Sequence, residues 1–211
     1  MEFPLEYYFI ALSMIVGFAT LMKNSRAYYL RLFPFFLLLA LISEMWAWRL
    51  GMKNINNIGI YNFFSVIAFI FYMYVLRYVV FSKKAKKIIL FVMIVYAIVS
   101  LSNILFIQKI DTFHTITYSL GCFLLIVISI YYFYELFQVP RSINLRREPA
   151  FWIVAGLLFF YSCTLPILGI VNYMPNAIAF SLGPIIKVLN VLLYSLFTIA
   201  FVCRMNLRSM S

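Results

Sequence analysis

Charge is what this sequence has least of. Only 11% of its 211 residues are Asp, Glu, Lys or Arg, while 66% are hydrophobic. Too few polar groups remain to coat a soluble domain, so lipid must be the solvent. Carboxylates are rarer still, six in all, and histidine occurs once. With them go the usual catalytic and metal sets: there is no HExxH, no Ser/His/Asp arrangement, no paired carboxylates and no metal-ligand spacing. A non-enzymatic protein without a metal is the expectation. The three cysteines, Cys122, Cys163 and Cys203, each lie inside apolar runs without CxxC spacing, which reads as small hydrophobes rather than a disulfide framework. No internal repeat, Gly/Ser linker or low-complexity segment divides the chain, so residues 1–211 read as one domain. Its net charge of +11 does not point to nucleic acid, because the basic residues sit between apolar runs and not on one soluble face.

What is present is a series of seven apolar runs, at about 5–22, 28–50, 58–81, 88–107, 113–137, 148–170 and 178–203. Each is long enough to cross the hydrocarbon core as a helix. The predicted fold is therefore all-α, a seven-transmembrane-helix bundle. Glu2 and Glu6 stand at the start of the first run where a cleavable signal would be positive, so that helix is expected to be retained. Pro149 suits the first turn of helix six, and Pro166 and Pro184 are expected to kink helices six and seven.

Orientation follows from the short loops. Lys23, Arg26 and Arg31, then Lys83, Lys84, Lys86 and Lys87, then Arg141, Arg146 and Arg147, then Arg204 and Arg208 all fall on one side, against Arg49, Lys53 and Lys109 on the other. Twelve against three predicts an outside amino terminus and a cytoplasmic carboxyl terminus.

The basic residue of most consequence belongs to neither set. Lys187 lies inside the seventh run, where an ammonium costs roughly 2.5 to 3.5 kcal/mol on insertion scales. Gly183, Lys187, Asn190 and Tyr194 share one helical face, with Gly183 small enough to admit a neighbouring helix. Glu44, in the stretch SEMWAWRL that also holds Arg49, falls at comparable depth, roughly 9 to 13 Å below the outer end at 1.5 Å per residue. Lys187 can therefore pair with Glu44 or line a cavity with it, or it can snorkel to the headgroups. Asn62, Ser65, Asn103, Tyr118, Ser119, Tyr161, Ser162 and Thr164 gather at the same level, and the inner half has few such groups. That asymmetry suits an outward-open pocket for a small or lipid-like molecule, and equally suits hydrogen bonds that join helices. The candidate site is Glu44, Arg49, Asn62, Asn103, His114, Ser119, Tyr161, Lys187 and Asn190. His114, at a helix mouth, reads as an interfacial residue.

The segment YYFYELFQVP followed by RREPAFWIVAGLLFFYSCTLPI, with Tyr132 to Phe137 and with Pro149, Phe151, Trp152, Gly156 and Tyr161, resembles a group of short bacterial seven-helix membrane proteins. Some relatives in that group form the membrane input of sensor histidine kinases. The likeness covers the last third of the chain best. It implies a sensory or stand-alone membrane module, and since no kinase follows before Ser211, signalling through a separate cytoplasmic or membrane partner.

A receptor-like or sensory membrane protein is thus the expected function. The alternatives are a transporter, or a retinal-binding photoreceptor. The latter resembles microbial rhodopsins in placing a lysine on helix seven, but helix three offers no carboxylate as counterion, so Glu44 on helix two would have to substitute.

Overall fold

The computed structural model describes residues 4–22, 28–138, 145–169, 171–175 and 182–206. Every element in them is helical: α1 Leu5–Met22, α2 Tyr28–Met52, α3 Ile58–Val79, α4 Lys83–Ser102, α5 Thr115–Gln138, α6 Pro149–Leu168 and α7 Gly183–Asn206. Six of these, α2 to α7, are long and apolar enough to cross a membrane, and α1 is a shorter apolar helix. The chain is an integral membrane protein.

Several ends differ from the sequence reading, for local reasons. Helix α4 starts at Lys83 rather than 88, taking the lysine cluster into its first turn, because Ser82 caps it by accepting from the Ala85 amide (3.3 Å). Its far end passes into a π-helical turn, Asn103–Ile107. Helix α5 starts at Thr115 rather than 113 because Phe113 and His114 belong to the preceding connection. Helix α7 is described from Gly183, with Pro184 in its first turn where a missing N–H costs nothing. The expected start at 178 lies outside the described residues, as do Lys23, Arg26, Arg141 and Arg208.

Helices α1, α2, α3, α5, α6 and α7 close a ring in which each packs on the next and α7 returns to α1, while α4 sits outside against α3 and α5. Inside the ring, aromatic side chains make the core. Phe33 of α2 meets Phe197 of α7 with ring centroids 4.9 Å apart, and Tyr72 of α3 meets Phe197 at 6.1 Å and Tyr161 of α6 at 6.0 Å. The outer faces remain apolar and exposed, as Ile88, Phe91 and Ile98 of α4 show. Such a surface suits lipid contact.

Small residues set how closely the helices approach. Gly17 on α1 faces the Pro34 ring of α2, and Gly121 on α5 faces the Phe69 ring of α3. A methyl group at Gly121 would come within 2.6 Å of that ring. Phe69 cannot swing away, since Tyr96, Tyr118 and Tyr161 hold it on three sides. Gly121→Ala is therefore expected to destabilise the bundle by about 1–3 kcal/mol, as overpacking does. Gly183→Ala, whose added carbon meets nothing within 4 Å, should leave the thermal midpoint in detergent unchanged.

Candidate functional site

The end of the bundle where α1, α3, α5 and α7 begin, called the head below, contains a partly open cavity of about 500 Å³. Its floor is aromatic, formed by Phe69 and Tyr72 of α3, Tyr161 of α6 and Tyr194 of α7. Its polar rim holds three ionisable side chains: Glu6 from the first turn of α1, Glu44 from α2 and Lys187 from α7. The α7 residues Gly183, Lys187, Asn190 and Tyr194 all face it. Gly183 does not admit a neighbouring helix, however; a carbon added there would point into open space.

The charged groups are poorly satisfied by the protein. Glu44 is half-buried, and its Oε2 accepts only a long bond from the Tyr61 hydroxyl (3.4 Å). Among the described residues it makes no ion pair with Lys187, whose exposed ammonium has no hydrogen-bond or ion-pair partner. Lys187 lines the cavity that Glu44 lines, without touching it. Glu6 is only 9% exposed, and its Oε2 is buried without a partner. The hydroxyls of Tyr72, Tyr161 and Tyr194 also lack hydrogen bonds within the described protein. By contrast, Tyr7 is fixed: its hydroxyl donates to the Glu44 carbonyl (3.1 Å), tying α1 to α2 beside the site. Asn172 closes the opposite wall, donating to the Phe113 carbonyl (2.7 Å).

Of the residues singled out from sequence, Glu44, Tyr161, Lys187 and Asn190 line this cavity, and Arg49, Asn62, Asn103, His114 and Ser119 do not. Asn62 is buried at the start of α3 and is spent on the α4–α5 connection. Its Nδ2 donates to the carbonyls of Ile110 (3.3 Å) and Thr112 (2.9 Å), and its Oδ1 accepts from the His114 amide (2.9 Å). Asn103 stands on the α4 side, outside the ring, where its Nδ2 donates to Gln108 Oε1 (3.1 Å). Arg49 is exposed near the end of α2. Ser119 lies against Gly169 of α6, its hydroxyl 2.8 Å from where a carbon on that glycine would sit.

His114 is buried in the protein, only 2% exposed, and its backbone amide donates to Asn62 Oδ1. Its ring nitrogens lie near the backbone of Lys109 and Gln108 without a well-formed hydrogen bond. Burial pushes its pKa below the ordinary value, the backbone contacts opposing that only in part.

Glu6, which in the sequence argues only that the first helix is retained, also lines the cavity. Gln108 was missed as well, although it bridges Asn103, Thr115 and the Ile116 amide. An acid in the first turn of an apolar helix is the signal the sequence offers for Glu6.

A histidine whose pKa is lowered by folding binds fewer protons in the folded state. Stability should then be complete above its unfolded pKa, about 6.5, and fall as the pH drops through it. The thermal midpoint is expected to decline between pH 7 and pH 5 more steeply in the wild type than in His114→Gln, measured under identical detergent conditions. Equal slopes would show that the imidazole does not carry the effect.

Compared with known proteins, the chain matches no family model, and neither a curated protein nor a solved structure is significantly similar to it.

Proposed function

We propose that this protein is a receptor-like or sensory seven-helix membrane protein, oriented with its amino terminus outside and its carboxyl terminus in the cytoplasm of a bacterial inner membrane. Its head cavity takes up a small or lipid-like molecule, and occupancy is passed to a separate membrane or cytoplasmic signalling partner. The observation that carries this reading is the partnerless state of Glu6, Lys187 and three tyrosine hydroxyls around an aromatic-floored cavity of about 500 Å³. That volume is within the range of small-molecule sites, which combine apolar walls with a few polar groups that fix orientation. A buried carboxylate with no partner costs the fold several kcal/mol or else takes up a proton. A bound molecule bearing complementary groups removes that penalty.

The retinal reading rests on the free Lys187 ammonium in the same cavity as Glu44. Visible absorbance after incubation with retinal would select it over the receptor reading.

Occupancy can be tested without knowing the ligand. Gly183 lines the cavity and a carbon added there meets nothing within 4 Å among the described residues, so Gly183→Leu should fill the space and leave the packing intact. Molecules that co-purify with the wild type, read by native mass spectrometry, should be lost from this variant by about tenfold, an energy of about 1.4 kcal/mol. Identical content in the two proteins would remove the cavity as a binding site.

The orientation has its own check. A reporter fused after Ser211 that is active only in the cytoplasm should be active, and a periplasm-dependent reporter at the same place should be silent. The opposite result would overturn the proposed topology.

A further inference from the structure

The cavity has a neighbour on the membrane side. Between α1 and α7 a second cleft, of about 780 Å³, is walled by Leu5 and Tyr8 of α1 and by Pro184, Val188, Val191 and Leu192 of α7. Its faces are apolar, and Leu5, Tyr8 and Val188 are each more than half exposed. Two residues, Glu6 and Lys187, line both this cleft and the head cavity. The two unpartnered charges of the rim therefore stand at the seam between a polar, aromatic chamber and an apolar groove open to lipid.

We propose that the head of a membrane phospholipid carrying a primary ammonium, of the phosphoethanolamine type, enters the cavity sideways through this seam while an acyl chain stays in the α1/α7 groove. The proposal rests on the cavity being a binding site and specifies what it binds. A primary ammonium carries three donors, and the chamber offers Glu6 Oε2 without a partner and Glu44 with one long bond. Tyr72 and Tyr194 line the same chamber, and an aromatic ring attracts a cation further. A quaternary ammonium has no hydrogen to give these carboxylates. A headgroup that is only anionic would meet two carboxylates and one lysine. The phosphate of a phosphoethanolamine falls between the ammonium and the chain, as Lys187 falls between chamber and groove, and the lysine supplies the donors it needs. The exposed apolar groove then accounts for the chain, which a soluble zwitterion lacks.

The full chain is placed in nanodiscs holding equal parts of phosphoethanolamine, phosphocholine and phosphoglycerol lipids with identical acyl chains, then released, and its retained lipid is measured by native mass spectrometry. The expected result is about tenfold enrichment of the phosphoethanolamine lipid over the other two. Glu6→Gln should bring that ratio close to one. Because loss of a buried acid can also alter folding, a second variant acts from outside: Val188→Trp fills the exposed groove and should abolish retention with an unchanged thermal midpoint. Retained lipid that mirrors the bulk composition would overturn the proposal. So would binding of free phosphoethanolamine that Val188→Trp leaves intact, with no lipid retained; in that case the cavity remains a binding site and only the lateral lipid route fails. If neither lipid nor free phosphoethanolamine binds, and Gly183→Leu changes nothing, the cavity reading falls with it.

Discussion

Two side chains on the inner ring satisfy backbone that would otherwise stand unpaired next to hydrocarbon, and the position of α4 depends on them. At the head, Asn62 of α3 bonds two carbonyls and one amide of the connection entering α5. At the opposite end, Glu135 of α5 accepts from the amides of Phe81 (2.7 Å) and Ser82 (3.0 Å), just before α4 begins. Each such bond adds about 1 kcal/mol to the fold, and more where the acceptor is a charged carboxylate. The acid also favours the amino-terminal end of α4 electrostatically. Together they clamp α4 against the outside of α3 and α5. The ring is then free to close without it.

That closure produces a space at the head instead of a packed core. Lower down, Phe33, Tyr72 and Phe197 fill the ring axis. Toward the tail, the Arg146 carbonyl accepts from Trp152 Nε1 (3.1 Å) of α6 and from the Cys203 thiol (3.0 Å) of α7, joining these helices. Near the head, α7 begins with Gly183 and Pro184, two residues of little bulk, and the tyrosines of α3, α6 and α7 end the aromatic packing where they line the chamber. The cavity is thus the consequence of where the large side chains stop along each helix.

Helical periodicity made part of this legible in the sequence. The stripe Gly183, Lys187, Asn190 and Tyr194 depends only on spacing along one helix, and all four residues face the cavity. Whether Asn62, Asn103 or Glu44 faces it depends on how helices are arranged around the ring, which no single helix records. Asn103 was read at the correct level but sits on the excluded α4. Glu44 and Lys187 share a chamber without touching, because depth along the helix axis does not fix the distance across the bundle. Glu6 was obscured by its place in the first turn, where an acid reads as a headgroup contact until α7 is known to pack over it. The start of α4 was misplaced because a lysine run reads as loop, whereas Ser82 and Glu135 make it a first helical turn.

The distribution of charge within the helices argues that the head was not built merely to hold the fold together. Five ionisable side chains bear on the question. Arg77, far along α3, donates from Nε to the Lys86 carbonyl (3.1 Å), and Glu135 takes two amides, so both are consumed by structure at the tail. Glu6, Glu44 and Lys187 line one cavity at the other end, and among the described residues their side chains together make one long hydrogen bond. Lone buried hydroxyls, such as those of Ser13 and Ser129, are spread through the bundle and cost little individually. Charges are far more expensive to leave unpaired, and a sequence with only six carboxylates places two of them on one cavity opposite a free lysine. Glu6, the buried one of the three, is a group that a fold selected for stability alone could replace with an apolar residue, as buried ionic groups often can be. Its place beside open space, with Glu44 and Lys187 on the same cavity, is the observation on which the proposed binding site rests.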